Sequence, residues 1–586
     1  MTDAVHSIDT LLAVDFGTAS TRVALFDVVE GKYRFIASGE APTTVDAPYR
    51  EASEGMRHAL AELQAITGRT FFDESAQLIL PATADGRGAD VLVATSSAGP
   101  AVQAVLVGLL PDVSLENARR IANTHYLTIR DTFSLGDTRP DEQRIDAILH
   151  IRPDLLLVTG GTENGAAEAL IKMLDTVSLA CHLLPPEHRV KLLFAGNTAL
   201  QPKVNEKFGS ITSVHHAPNL QPDLGLTDLP PARQALEEVI ESLRVEQIGG
   251  FNNVAVWTGG RIYPTAQAES NILRFFSRAI GPNRGVLSVN VGSASTSVAA
   301  GFGDHVSLVV RPDLGVGVNA AQILKESTVE SLLQWLPFDL TPDGLRDFVY
   351  NKAAHPHTIP VDPHEAALEY ALTRQALALA LRRARRDWTR KAKGPRADLM
   401  PWLDLIFGGG ASLARVPRPG LAAMLMLDAL QPVGQCDLFL DSHHMGAALG
   451  ALATVNPTAV VQILDSGAFL SLGTTFSAVG TTRPSELACL ATLQTPAGEN
   501  TVEVKYGSFE ILPFTSTQTG KLTLKPRPGF DVGFGPGRGV KNKEDLTGGA
   551  VGIVIDARGR PLAFPNDPAQ RRDTVQKWIA KAAGEG

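Results

Sequence analysis

Cysteine is scarce in this chain of 586 residues. There are three, Cys181, Cys436 and Cys489, far apart and in apolar surroundings. Isolated thiols make neither a disulfide framework nor a zinc or iron–sulfur pattern, and they suit a reducing compartment. Long apolar runs are lacking too: none approaches the ~20 residues that cross a bilayer, so no transmembrane helix is expected. The N-terminal MTDAVHSIDT has no basic n-region or apolar h-region, so no signal peptide is visible. Neither sign of charge dominates. Lys and Arg number 53 against 62 Asp and Glu, a net −9 without long runs, which gives no electrostatic footprint for nucleic acid or an anionic membrane. No fixed-period repeat, G-x-S-x-G elbow or Ser-His-Asp order stands out. What is present is 44% hydrophobic content, ample for several cores. The expectation is a multidomain, cytoplasmic protein.

Residues 10–40 read as a strand meander, LLAVDF, RVALFDVV and KYRFIASGE. A helix is predicted over 49–68, where Met56, Leu60, Leu63 and Ile66 recur at helical spacing. From about 91 to 260, short apolar strands such as DLLLVTGG and VKLLFAGN alternate with helical segments such as NGAAEALIKMLDTV. That alternation predicts a parallel sheet covered by helices on both faces. A second hairpin signature, GVLSVNVGSASTSVAAGFGDHVSLVV, opens residues 261–456, which continue through a long helical region to the strand DLIFGGGASLARV. After Pro457 the composition turns to Gly, Pro, Thr and short strands, and 457–586 reads as a separate β-rich domain with a helical tail.

The stretch LLAVDFGTASTRVALFDV (11–28) sets Asp15, Gly17, Thr18, Ser20 and Thr21 in one turn between two core strands. Such a turn aims backbone N–H groups and hydroxyls at an anion, and its glycine permits close approach. An acid ending the first strand would repel phosphate unless it held Mg²⁺ or the ion's waters. One such turn is as readily an ordinary hairpin. The layout recurs, however, in SVNVGSASTSV (288–298), with Asn290, Gly292, Ser293, Ser295 and Thr296. Two distant hairpins of this kind can clamp a polyphosphate from both sides. A third element, IFGGGASLARV, carries Gly408, Gly409 and Gly410 before a helix start at Ser412; bare backbone there could take a flat ring, or the glycines could serve helix packing.

The order of these elements resembles the actin/Hsp70/sugar-kinase superfamily, with 13–23 as phosphate-1, 288–298 as phosphate-2 and 405–414 as the adenosine element. PTAQAESNILRFFSRA (264–279) and MGAALGALA (445–453) look like its two connecting helices. The boxes SSAG (96–99) and VTGGTENG (158–165), with LLFAGNTA (192–199), resemble the MutL-type glutamate mutase accessory proteins over roughly 10–455. The resemblance implies an α/β fold: actin-like ATPase with ribonuclease-H-like duplicated subdomains (1–90 and 261–456), a Rossmann-like insert (91–260) and the β-rich C-terminal domain. It further implies ATP and Mg²⁺ as cofactors, with Asp15 holding the metal directly or through water, and a chaperone-like role toward a cobalamin-dependent mutase. A pseudo-ATPase scaffold that self-associates, or a small-molecule kinase with Asp313 as base, are the alternatives.

One departure matters. Phosphate-2 in these proteins usually opens and closes on acids, and this chain has Asn290 and Ser297 there. Losing both carboxylates removes charge that would hold Mg²⁺ or orient a water, which puts hydrolysis in doubt. Asp441, His443 and His444 read as a capped helix entry before a metal site. Glu163 and Asn164 stand at a strand end where an open α/β sheet can bind ligands, or are simply solvated turn residues. The basic run 381–393 reads as a solvated helix face.

Overall fold

A computed structural model describes residues 8–585 apart from 76, 164, 166, 186 and 389–391. The chain forms two compact units: Met1–Pro42, His58–Ser96 and Thr265–Gly586 in the first, Thr43–Arg57 and Ser97–Pro264 in the second.

In the first unit, β1 (Leu11–Phe16), β2 (Ser20–Val29) and β3 (Lys32–Pro42) form the antiparallel meander read from the sequence, and β4 (Val91–Ser96) lies parallel to β1. β1 is apolar at almost every position because both of its faces are covered. The same plan recurs in β5 (Gly285–Val291), β6 (Thr296–Phe302) and β7 (His305–Arg311), antiparallel, with β8 (Leu403–Gly409) parallel to β5. β9 (Gly434–Leu440) runs parallel to β8, and three strands from the C-terminal segment complete this sheet. With β10 (Leu470–Ser477), β11 (Phe509–Leu512) and β12 (Ile553–Asp556), the order is β7-β6-β5-β8-β9-β10-β12-β11. Residues 457–586 also form a four-stranded sheet of their own around Phe476, Leu493 and Leu522.

Helices link the two sheets by exchange. α1 (Thr265–Ile280) packs on β5, β6 and β7. Two more, α2 (Pro363–Ala384) and α3 (Pro419–Leu430), cover the second sheet around Leu377, Ala380 and Met426. α4 (Met445–Leu452) follows β9 but packs on β1 and β4, and it crosses α1. α5 (Pro568–Ala583) ends the described chain against α3. Two meanders, each with an added parallel strand and each reached by a helix from the other, make the duplicated actin-like fold that the sequence implied.

The second unit contains a five-stranded sheet, all parallel, in the order Leu127–Phe133, Val102–Gly108, Leu155–Thr159, Lys191–Phe194, Ser213–His216. Its three central strands are apolar on both faces. Leu106, Leu157 and Leu193 bury against helix Pro230–Gln247 on one side, while Val107, Val158 and Leu192 bury against helix Glu168–Leu183 on the other. The predicted Rossmann-like insert is therefore present. Helix Ala52–Thr67 forms where expected, with Met56, Leu60 and Leu63 fully buried, although Ile66 is exposed. In the basic run Arg385 satisfies the carbonyls of Ala397, Asp398 and Leu399 while Arg382 and Arg386 face water. No helix of the described residues is long and apolar enough to cross a membrane.

Candidate functional site

The two hairpins share a backbone turn and a strand register. The Gly17 N–H donates to the Ser20 carbonyl at 2.9 Å, and the Gly292 N–H donates to the Ser295 carbonyl at 2.8 Å. A Cβ on Gly17 would lie 2.8 Å from that carbonyl oxygen, so the turn needs glycine there. Register matches as well: Asp15 pairs with Arg22 and Thr95, and Asn290 pairs with Ser297 and Gly409. The hydroxyls divide by direction. Ser20 and Ser293 line a cavity of about 900 Å³, which Ala411 and Ser412 line too. Thr21 and Thr296 are fully buried instead. The Thr296 hydroxyl donates to the Leu314 carbonyl at 2.8 Å, and the Thr21 hydroxyl has no hydrogen-bond partner among the described residues. Thr18 and Ser295 sit half-buried in the turns and are not part of the cavity wall.

Beside the hairpins lies a set of acids. The hydroxyls of Thr95 and Thr265 donate to Asp15 Oδ1 at 2.6 and 2.8 Å, which leaves Oδ2 for a metal ion or its water. Asn290 donates its amide to Glu269, one turn further along α1 than Thr265. Glu269 is driven up to about 8, first by burial and then by the charges of Asp441 and Asp15, against the Asn290 hydrogen bond. Burial raises Asp441 as well, partly offset by the Met445 and Gly446 N–H groups that it caps at 2.7 and 2.8 Å. Among the described residues no group of three or more His, Cys, Asp and Glu is arranged for a metal ion. Mg²⁺ does not need one, because it commonly keeps several waters and takes one or two carboxylates plus substrate phosphates. The free oxygen of Asp15 fits that mode.

Glu269 makes stability depend on pH in a stated direction. Between the ordinary 4.5 of a glutamate and about 8, the folded chain keeps a proton that the unfolded chain has lost. Stability is therefore lost as pH rises through that window. Glu269→Gln cannot ionise and can still accept from Asn290. The variant should melt increasingly above the unsubstituted chain between pH 5 and pH 8, and an equal difference at both pH values would remove this account.

Two members of the glycine triplet are closely packed. A Cβ on Gly408 would lie 2.7 Å from the Met426 sulfur, and one on Gly410, whose φ is +88°, would lie 2.2 Å from the Val291 carbonyl oxygen. Gly408 and Gly410 let β8 approach α3 and β5, a Cβ on Gly409 would meet nothing closer than 3.6 Å, and Gly408 and Gly409 border a hollow of about 30 Å³ beside Glu269 and Asp441. Close packing accounts for Gly408 and Gly410, and of this element Ala411 and Ser412 line the cavity. Asp313 is not brought to the cavity: it forms a two-pronged ion pair with Arg311, at 2.8 Å on each oxygen, and Arg311 also pairs with Glu326. Asp441 caps α4, as the helix-entry reading has it, and His444 is held neutral by burial, down to about 3. In the second unit Glu163 accepts hydrogen bonds from Thr198 and Asn219 and so ties neighbouring strand ends together; Asn164 lies outside the described residues. The residues that sequence reasoning missed are Thr95, Thr265 and Glu269. The last two stand four apart in the segment read as a connecting helix, and that spacing puts them on one helix face.

A sequence model of the MutL protein family matches residues 11–467. The chain belongs to the MutL protein family. Among relatives, Protein MutL of Clostridium tetanomorphum is 23% identical over 400 residues, which is 64% of this chain and 79% of that protein. A nucleotide-free acetone carboxylase structure aligns with 85% of this MutL-family chain and 81% of its own, at 10% identity and a TM-score of 0.31. The ethanolamine utilization protein EutJ from Carboxydothermus hydrogenoformans aligns with 75% of this chain and 88% of its own, at 9% identity and a TM-score of 0.25. Superpositions this loose carry no weight, and the fold rests on strand order and register.

Proposed function

We propose that this MutL-family chain binds Mg-ATP between its two hairpins and uses that binding to act on a partner, a cobalamin-dependent mutase, as an accessory or reactivating factor. The observation that carries the nucleotide reading is that two hairpins of one make, Gly17–Ser20 and Gly292–Ser295, supply Ser20 and Ser293 to one cavity of about 900 Å³. Turns of this kind offer phosphate oriented N–H dipoles and hydroxyls. Asp15 would hold Mg²⁺, whose chemistry is to neutralise phosphate charge. Hydrolysis is slow on this reading: Asn290 is neutral, Glu269 keeps its proton at pH 7, and Asp441 spends both oxygens on the α4 N-terminus. Ligand energy then goes into changing the balance between conformations, which needs only different affinities for the two.

The mutase partner is supported by family membership together with the boxes SSAG and VTGGTENG. Titration calorimetry tests the nucleotide: Asp15→Ala should weaken Mg-ATP by roughly tenfold or more, since the metal loses its carboxylate. Equal binding by the variant and the unsubstituted chain would end the role of Asp15. Retention of a cobalamin mutase on the immobilised chain, dependent on ATP, is the matching result for the partner.

A further inference from the structure

We propose that the C-terminal helix α5 is a wall of the same ligand site and takes the nucleobase end of the nucleotide. This rests on the nucleotide reading above and deepens it. The family match ends at residue 467, so α5, at Pro568–Ala583, lies outside the matched residues. Its stripe Gln576, Ile579, Ala580 and Ala583 nevertheless lines the cavity that Ser20 and Ser293 line. Those positions follow helical spacing, and the neighbouring stripe Val575, Trp578 and Ala582 is buried. The helix is firmly seated. Trp578 Nε1 donates to the Gly507 carbonyl at 3.0 Å, Lys581 Nζ reaches both oxygens of Glu510 at 2.7 Å, and a Cβ on Gly420 would strike the Ala582 carbonyl oxygen at 2.0 Å.

Chemistry assigns the ends. Phosphates belong at the hairpins, whose Ser20 and Ser293 line the cavity, and not on Ile579, Ala580 and Ala583. A flat ring can, and small apolar side chains on a helix give it a surface without polar atoms to desolvate. Gln576 is the one carboxamide among the described cavity-lining residues. A carboxamide both donates and accepts, which matches the adjacent donor and acceptor of an adenine edge. Because α5 is tied to β11 through Lys581 and Glu510, a ring seated on it would touch the C-terminal segment directly.

The test is Mg-ATP titration of the full chain by calorimetry. Ala580→Trp places an indole where the ring would lie and should weaken binding at least tenfold. Lys577→Trp, on the exposed side of the same helix, should bind as the unsubstituted chain does. Gln576→Trp repeats the block from the next turn should Ala580→Trp fail to fold. Equal affinity in the blocking variants overturns the proposal, as does an equal loss in Lys577→Trp. No binding by the unsubstituted chain overturns the nucleotide reading itself, a result distinct from either.

Discussion

Asp428→Ala should cost about 3–5 kcal/mol of folding stability in the first unit, the usual loss when one partner of a buried ion pair is removed. Asp428 is 2% exposed and accepts from two guanidinium groups, Arg374 at 2.8 Å and Arg558 at 2.6 Å. Arg558 also pairs with Asp556, which in turn pairs with Arg560, both at 2.9 Å. Three cations thus share two carboxylates, and removing one carboxylate leaves three buried positive charges around the other. The aromatic faces cannot make up the difference. Arg374 sits 4.7 Å over Trp335 and Arg558 sits 4.8 Å over Trp578, contacts worth about 2 kcal/mol or more each when desolvated but already present before the substitution. Asp304→Ala gives the scale for comparison, since its pair with Arg278 is 89% and 64% exposed and should contribute ~1 kcal/mol or less. Urea midpoints followed by a probe in the first unit measure both variants. A shift for Asp428→Ala no larger than that for Asp304→Ala would show the network to be dispensable.

That network also shows where reading the sequence stops. The hairpins were legible because their chemistry is local: glycine, hydroxyls and flanking apolar residues all lie within a dozen positions. The parallel sheet of the second unit was legible from apolar runs at regular spacing. Arg374, by contrast, stands in a helix whose Arg382 faces water, and its partner Asp428 lies 54 residues away. Glu269 looks like an ordinary helical acid until α4 crosses beside it and leaves it half-buried. β4 reads as the start of the parallel series that follows it, yet it pairs with β1. Partner choice and burial are long-range properties, set by which surfaces meet. The glycine triplet makes the same point: the sequence announces a close approach, and only the fold says that Met426 comes up to Gly408 and Val291 to Gly410.

The crossing beside Glu269 depends on one residue, and its substitution is the second large effect expected. A Cβ on Gly450 would lie 1.8 Å from the Ala268 carbonyl oxygen and 2.3 Å from its carbon. Both are backbone atoms inside α1, so no side chain can move aside and the helices must separate. Intrinsic propensity pushes the other way: an unencumbered helical Gly→Ala gains about 1 kcal/mol. Overpacking costs about 1–3 kcal/mol, occasionally more, so Gly450→Ala should be destabilising despite the better helix former. The consequence for ligand follows from where the helices lead. α1 lies on the sheet that holds Asn290 and Ser293, α4 on the sheet that holds Asp15 and Ser20. Driving them apart moves one hairpin from the other, and phosphate contacts made from both sides cannot all survive an ångström of spreading. Calorimetry should show Mg-ATP affinity reduced roughly tenfold or more, together with a lower melting temperature. A Gly450→Ala chain that is more stable than the unsubstituted one would mean that α1 and α4 are not in contact there, and that the two sheets do not pivot on this crossing.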